Sequence, residues 1–278
     1  MIKGKSLANA IVSNGLDVVT ADSDGAYSLP FWGTHVYCIV TPGYSPFKGA
    51  IVRLAGADQT YDIFPEPCEH PVGGFVFAQM TDCHISQPGV MGTDGMNVSP
   101  AVFEAALGRL KTDAAPDFVM LTGDQVDIGT VNELNLMFEA LERVDLPAVQ
   151  VNGNHEAQCD LPREQIPSVP QEGLAPDEEV EDFYSYFGPR RFAFFWGKYL
   201  FIVLDCMTVW KREQHRWLAA MLKHIPAETP IVAAIHHPDM VFRFPELLER
   251  NLRLAISGHY HTHQTFREDG ALHSSPST

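Results

Sequence analysis

The chain lacks a disulfide pattern and any long apolar run. An odd, scattered cysteine set without a CxxC pair is not a disulfide framework, so we expect mostly reduced thiols. The five cysteines are Cys38, Cys68, Cys83, Cys159 and Cys206. No segment is apolar for long enough to form a signal core or to span a membrane. The sequence therefore predicts a cytoplasmic protein, although a chain whose leader had been removed would read the same.

Positive charge is also scarce. The 278 residues carry 19 Lys and Arg against 35 Asp and Glu, which gives a formal net charge of −16. Such a chain repels nucleic-acid backbones and anionic lipids, so neither a nucleic-acid polymer nor a membrane is expected as a partner. The composition is 45% hydrophobic and 19% charged, as in ordinary soluble globular proteins, with enough apolar residues for a sizeable core.

Residues 1–67 consist of short extended segments broken by turn dipeptides, and they show no helical period. Asn14-Gly15 and Asp24-Gly25 are strong turn signals, and the pattern predicts a small all-β sandwich. The string VSNGLDVVTADSDGAYSLP resembles the prealbumin-like or carboxypeptidase-regulatory modules often attached to enzymes. Residues 68–74, rich in Pro and Gly, form the expected linker. This module could bind sugar or a partner, or act as a passive spacer; we favour the spacer.

From Phe75 onward, apolar runs typical of buried parallel strands alternate with helical patterns. This alternation predicts a layered α/β domain over residues 75–278. The expected strands are FVFAQMT, FVMLTGD, PAVQVNGN, YLFIVLD, PIVAAIHH and LRLAISGH. Helices are expected from Ser99-Pro100, where an N-cap precedes a proline, and at VNELNLMFEALERV, EQHRWLAAMLKHI and PELLERN. Trp210 and Trp217, seven apart, are expected on one packed helical face.

Polar side chains follow five of these strands where each strand ends. They are Asp82 and His84; Asp124 and Asp127; Asn154, His155 and Glu156; His236 and His237; and His259 and His261. Because ligands of α/β sheets bind at the carboxyl ends of strands, we expect these residues to share one site. In the last segment, SGHYHTH, alternate residues of an extended chain face one side, so His259, His261 and His263 would lie on one face.

Imidazole and carboxylate ligands suit Mn, Fe or Zn, and the lack of a thiolate argues against a closed structural zinc site. Asp82, His84, Asp124, Asn154, His236, His259 and His261 are too many ligands for one small ion. They suit two ions that share a carboxylate. Such a pair can hold a bridging hydroxide and clamp a phosphoryl group during in-line displacement.

The ordered motifs DxH, GDxxD, GNHE, HxP and GHxH resemble the signature of the calcineurin-like metallophosphoesterases. The resemblance runs from Phe75 to the C-terminus and includes FGPRRFAFFWGKYLFIVLD. It implies a layered β-sandwich core flanked by helices. It also implies one metal held by Asp82, His84 and His261, and a second held by Asn154, His236 and His259. Asp124 would bridge the ions and His155 would act on the substrate, with Asp127, Glu156 and His237 orienting ligands or touching substrate.

Departures from the family's subclasses narrow the expected substrate. Asp127 stands where purple acid phosphatases carry a tyrosine, so a ferric tyrosinate is not expected. Ile128 and the pair Val151-Asn152 replace the phosphate-gripping arginines of the serine/threonine protein phosphatases, which disfavours a phosphoprotein. The rest resembles the small-molecule phosphodiesterases, including cyclic-nucleotide and glycerophosphodiester hydrolases. In that branch the chain usually continues beyond a segment like GALHSSPST, so we expect a truncated C-terminus.

The prediction is thus a dinuclear-metal phosphodiesterase that acts on a small-molecule phosphoester. A phosphomonoesterase with the same residues and a catalytically silent scaffold are the alternatives. Cys83 is expected to be a buried thiol, and His263 to lie outside the ligand set. The loop QPGVMGTDGMNVSP could line the pocket or lie free on the surface, and Gln158–Asp182 is expected to be irregular. The natural substrate, the metal pair and the oligomeric state stay open.

Overall fold

The computed structural model describes residues 1–39, 42–71, 73–86, 98–156, 188–268 and 270–276. Residues 87–97 of the Gly- and Met-rich loop, the acidic segment 158–182 and Cys159 lie outside these ranges. None of the helices within them combines the length and the apolar character that crossing a bilayer requires. The four described cysteines, Cys38, Cys68, Cys83 and Cys206, are free thiols.

The N-terminal region is built from strands alone. They are β1 (Ile2–Lys5), β2 (Ile11–Ser13), β3 (Val18–Thr20), β4 (Ala26–Leu29), β5 (His35–Ile39) and β6 (Ile51–Arg53). Strands β1 and β4 pair with each other, and the antiparallel order β3-β2-β5-β6 forms a second sheet. Gly15 and Gly25 take φ angles of 84° and 76° at the two predicted turns. An apolar core around Val12, Leu29 and Val36 joins the sheets, which confirms the all-β prediction.

A parallel sheet with two helices on one face begins the second region. The elements are β7 (Phe77–Met80), α1 (Pro100–Asp113), β8 (Phe118–Leu121), α2 (Val131–Val144) and β9 (Ala148–Gln150). Ser99 caps α1 by accepting from the backbone N–H of Val102. Thr130 and Glu133 cap α2 reciprocally, so both helices begin where the sequence predicts. Apolar residues of both helices, including Phe103, Leu107, Leu134 and Met137, fill a buried core with this sheet.

The second sheet of this region has the order β10-β11-β12-β13-β15-β14. Its strands are β10 (Phe192–Trp196), β11 (Tyr199–Val203), β12 (Ile231–Ala234), β13 (Leu252–Ile256), β14 (Gln264–Glu268) and β15 (Ala271–Ser275), with helices α3 (Arg212–Leu222) and α4 (Pro245–Leu248). Rings from both sheets meet between them, and Phe118 lies 5.4 Å from Phe201. The layered α/β prediction is confirmed. The predicted helix PELLERN forms only the single turn α4, which follows a 3-10 helix at Pro238–Arg243.

The N-terminal sandwich packs directly against the second region. Strand β5 is buried throughout: Val36 and Cys38 face the sandwich core, while Tyr37 and Ile39 join the core of the α/β layers. The sandwich therefore shares a packed boundary with the α/β layers, and its role as a passive spacer stays a prediction.

Polar contacts complete this packing, and we call their residues the junction: Ser13, Gly15, Asp17, Arg191 and Trp217. Trp217 Nε1 donates to Ser13 Oγ at 3.1 Å, and Arg191 Nε donates to the carbonyl of Gly15 at 2.6 Å. The expected packed tryptophan face holds for Trp217 alone, because Trp210 precedes α3 and is 69% exposed.

Candidate metal centre

The predicted site residues converge where five strands end. Asp82, His84 and His261 offer ligand atoms that all lie within 4.8 Å of one another, and so do Asp124, His236 and His259. These two groups are called here the first and the second group. Gln79 helps to bring the sheets together, since its amide donates to Thr122 Oγ1 at 3.0 Å and to the carbonyl of Ser257 at 2.8 Å.

The first group is held by its neighbours in a fixed arrangement. His261 Nε2 lies 3.3 Å from Asp82 Oδ1 and 3.1 Å from His84 Nε2. Asp82 accepts from Thr81 Oγ1 at 2.6 Å. The backbone N–H of His259 donates to both carboxylate oxygens of Asp82, at 3.0 Å to Oδ1 and 2.9 Å to Oδ2. Gly258 is required here because a Cβ would stand 1.9 Å from Thr81 Oγ1.

In the second group, the buried side chains of His236 and Asp124 face each other. His236 Nδ1 lies 2.8 Å from the carbonyl of Thr122. A carbonyl can only accept, so this nitrogen carries the hydrogen and Nε2 is left as the ligand atom. His236 Nε2 then faces Asp124 Oδ2 at 2.9 Å. Two acceptors at this distance repel unless a proton or another cation lies between them.

The ionisation of the second group follows from this arrangement. Burial lowers the pKa of His236, but the Asp124 carboxylate outweighs it and raises that pKa to about 9. Burial would likewise raise the pKa of Asp124, yet His236 holds it well below its usual range. Burial, reinforced by His236, lowers the pKa of His259 to about 4, which leaves a neutral ring beside Asn154 Oδ1 at 3.1 Å. Without a metal, a proton on His236 fills the gap.

Left-handed backbone presents most of these side chains. Asp82, His84, Asp124, His259 and His261 have φ between 46° and 77°, a region that costs energy for residues other than glycine. The prediction of an extended SGHYHTH segment is therefore wrong. His259 and His261 themselves have left-handed backbone, and both side chains join the ligand groups. His263 is exposed and lies outside both groups. Cys83 is a half-buried free thiol. Its neighbours Asp82 and His84 have left-handed backbone, so this segment is not extended.

Of the carboxylates predicted to orient ligands, Glu156 contacts mainly the backbone. Glu156 is fully buried and accepts from the N–H groups of Asp124, Gln125 and Gly153 at 2.5–2.9 Å. It thereby ties the GD and GN turns together. Asp127 Oδ1 lies 3.8 Å from His84 Nδ1.

A family model of the calcineurin-like phosphoesterases matches residues 75–263. This match covers well over half of the chain, and its residues include both ligand groups. The chain belongs to the calcineurin-like phosphoesterase family. The motif resemblance and the fold prediction are thereby confirmed.

Two curated phosphoesterases are similar in sequence. The chain is 26% identical over 186 residues to the probable glycerophosphodiester phosphodiesterase GpdQ of Arcobacter nitrofigilis, covering 64% of this chain and 63% of that protein. It therefore spans less than two thirds of that relative. It is 27% identical over 269 residues to the serine/threonine-protein phosphatase CPPED1 of Mus musculus, covering 78% and 79%. A solved dimetal phosphatase from Danio rerio shares the fold, with a TM-score of 0.53 at 15% identity over 74% of this chain and 87% of that one.

The phosphoesterase residues fit a pair of divalent cations. His236 Nε2 is a buried nitrogen without a hydrogen-bond donor to satisfy it, and it faces a carboxylate. His84 Nε2 and His261 Nε2, 3.1 Å apart, form a second pair of converging nitrogens. Neutral imidazole with carboxylate is the donor set of Mn, Fe and Zn.

Sequence reasoning missed several residues at this phosphoesterase site. Thr81 and the carbonyl of Thr122 orient Asp82 and His236, and an apolar run gives no signal for either. Tyr260, between two site histidines, donates from Oη to Asp239 Oδ2 at 2.6 Å. His237 was expected to orient a ligand or touch substrate, and its ring packs on that of His259 at 4.1 Å.

Proposed function

We propose that this chain is a dinuclear-metal phosphoesterase that prefers small-molecule phosphodiesters. The observation that carries the proposal is the pair of ligand groups, each with nitrogen and oxygen atoms facing one another across the distance that a cation spans. Asp82, His84 and His261 would hold one ion, and Asn154, His236 and His259 the other. Asp124 would serve both. When bound, the two ions supply Lewis-acid activation of water and neutralise phosphoryl charge.

His155 is the residue proposed to act on the leaving oxygen. Its backbone N–H donates to Asp124 Oδ1 at 2.9 Å, and its ring Nδ1 is hydrogen-bonded to the carbonyl of Asp127. Those two contacts fix the ring, and its Nε2 lies 3.9 Å from Asp124 Oδ2, beyond hydrogen-bond distance. Burial lowers the pKa of His155, but Asp124 outweighs it and the pKa is raised. A protonated Nε2 can stabilise phosphoryl charge or protonate the departing alkoxide.

The preference for diesters rests on charge. A phosphomonoester carries up to two negative charges near neutral pH, whereas a diester carries one. Ile128 and Asn152 occupy the positions where protein phosphatases have arginines, and both are buried and uncharged. No guanidinium from these positions can grip a second phosphate charge. The name of the Arcobacter nitrofigilis relative, a probable phosphodiesterase, agrees with this preference.

A matched pair of histidines tests the proposal. We would purify the protein without chelator, measure bound metal by elemental analysis, and assay bis-p-nitrophenyl phosphate and p-nitrophenyl phosphate with added Mn²⁺. We expect about two transition-metal ions per chain and faster diester turnover. His261→Ala should lose metal and activity, whereas His263→Ala, two residues away and exposed, should keep both.

Two other outcomes would change the assignment. Faster turnover of the monoester would favour a phosphomonoesterase, as the phosphatase names of the mouse and zebrafish relatives suggest. Bound metal without turnover of either ester would favour a silent scaffold. No metal after reconstitution would contradict the dinuclear site itself.

A further inference from the structure

An exposed aromatic ring lies at the edge of the second group. Tyr260 sits between His259 and His261 in the chain, yet its side chain is 39% exposed. Its ring centroid lies 5.3 Å from that of His259 and 5.4 Å from that of His237. A large exposed ring beside a polar site is a surface available for contact with a ligand.

This ring is held in place at both ends. The backbone N–H of Tyr260 donates to the carbonyl of Gly258 at 3.0 Å, between two left-handed residues. At the other end its hydroxyl donates to Asp239 on the 3-10 helix that begins directly after His237. A tethered ring loses little conformational freedom when it receives a ligand, so such contacts are efficient.

His237 connects this ring to the ligand histidines. Its ring packs at a tilt on that of His259, with 4.1 Å between centroids and 33° between planes, and meets Tyr260 edge-on at 76°. His237 Nδ1 is buried and has no hydrogen-bond partner within the described structure. We call Tyr260, His237 and Asp239 the ring wall. It combines an aromatic face, an unused nitrogen and a carboxylate.

The ring wall and His155 adjoin different ligand groups. The His155 ring packs against His84 of the first group at 4.5 Å, whereas the wall packs against His259 of the second. If His155 serves the departing oxygen, the wall is placed to meet the alcohol that stays on phosphorus.

We propose that the ring wall selects phosphodiesters whose retained alcohol carries a flat ring, as in nucleoside or aryl esters. The inference rests on the proposed function and adds a substrate class to it. Stacking of a flat ring on an aromatic side chain is sequence- and substituent-tolerant, so the wall would accept several rings. The Asp239 carboxylate, whose Oδ1 is not used by the bond from Tyr260, would then discriminate among their polar edges.

Three esters with the same p-nitrophenolate leaving group test this: thymidine, phenyl and methyl p-nitrophenyl phosphate. In Tyr260→Ala we expect KM for the two ring esters to rise about tenfold, as loss of one stacking contact implies, with kcat nearly unchanged. The methyl ester should change less than about twofold. Trp210→Ala is the matched control, because Trp210 is an exposed ring held by Arg243 of the same 3-10 helix.

Binding measurements keep this test separate from catalysis. Calorimetry of thymidine 5′-monophosphate with the metal-loaded protein should show an affinity about tenfold lower in Tyr260→Ala, and methyl phosphate should show no difference. Loss with only one of the two ring esters would still support the wall and name the ring. Equal losses for all three esters, or none, would overturn it. If the wild type hydrolyses no ester, the proposed function fails, and calorimetry still decides whether the wall binds rings.

Discussion

Two buried polar clusters in this protein are completed in opposite ways. At the junction, each acceptor meets a donor: Ser13 Oγ accepts from Trp217 Nε1 at 3.1 Å and from the N–H of Gly15 at 3.0 Å. At the metal centre, His236 Nε2 meets the carboxylate of Asp124 at 2.9 Å, and this contact is favourable only with a proton or another cation between the two atoms. Ser13 and Trp217 at the junction and Asp124 and His236 at the metal centre are all buried.

Whether a buried polar group has a hydrogen-bonding partner within the protein distinguishes structural from functional groups better than its burial does. Buried polar groups normally find their partners within the protein, and those at the junction do so. A buried group whose nearest neighbour has the same hydrogen-bonding character is arranged for something that the chain does not itself provide. Here that missing partner is a cation.

The largest expected effect comes from Asp124→Asn. The carboxamide can donate to His236 Nε2, so it completes the cluster without a cation. We expect the loss of metal to lower kcat/KM for bis-p-nitrophenyl phosphate at least about a thousandfold. Mn²⁺ at a hundred times its Kd should stabilise the wild type by about 2.7 kcal/mol and the variant by far less. The chelated variant should unfold within about 1 kcal/mol of the chelated wild type.

Asp145→Asn is the matched control for this change. Asp145 and Asp124 both have a φ of 51°, but Asp145 ends α2 instead of facing His236. Its substitution should leave turnover and the Mn²⁺ response unchanged. Equal Mn²⁺ stabilisation of Asp124→Asn and the wild type would contradict a role of Asp124 in holding metal and would remove the contrast between the clusters.

The next effect belongs to the junction. Ser13→Ala leaves two buried donors, Trp217 Nε1 and the N–H of Gly15, without their acceptor, so the free energy of unfolding should fall by roughly 2–4 kcal/mol. Metal content and kcat/KM of the folded protein should not change. Arg216→Ala removes only the exposed ion pair with Asp17 and should cost less than about 1 kcal/mol. Urea unfolding checks both variants, and loss of bound metal in Ser13→Ala would contradict the division of roles.

The smallest effect compares two buried histidines. Asp124 raises the pKa of His236, whereas burial, reinforced by Arg53, lowers the pKa of His35 in β5 to about 4. In the unfolded chain His35 has a pKa of about 6.5, so between that pH and pH 4 the unfolded chain binds a proton that the folded protein does not bind. The contribution of neutral His35 to the free energy of unfolding is complete above about pH 6.5 and is lost as the pH falls towards 4. Between pH 7.5 and 5, the wild type should lose about 2 kcal/mol more stability than His35→Gln. The free energy of unfolding from urea titrations would be plotted against pH for both proteins. Parallel curves would contradict the lowered pKa of His35.

The sequence predicts the composition of the site because its signals are local. Asp82, Asp124, Asn154 and His236 each follow an apolar run, and parallel strands bring their carboxyl ends to one edge. The cap of α2 is likewise local, with Thr130 and Glu133 three residues apart. In both cases the chemistry lies within a few residues of the element that presents it.

What the sequence does not predict depends on contacts between distant segments. The left-handed backbone at His84 and His261 depends on packing around the site, since positive φ is uncommon for any residue other than glycine. The hydroxyl of Tyr260 donates to Asp239, which lies on a 3-10 helix 21 residues away in the chain. The extent to which β5 is covered is also hidden, because HVYCI reads equally well as a strand with one face in water.

Strand β5 has a consequence for the order in which this chain acquires its structure. The sandwich precedes the α/β layers in the chain, yet Tyr37 and Ile39 of β5 belong to the core of those later layers. The hydrogen bond from Trp217 to Ser13 joins residues 204 apart, so the whole segment between them must have emerged before it can form. Contacts of such long separation close slowly. The apolar face of β5 therefore stays uncovered until residues far along the chain have been made, and a chaperone could protect it during that time.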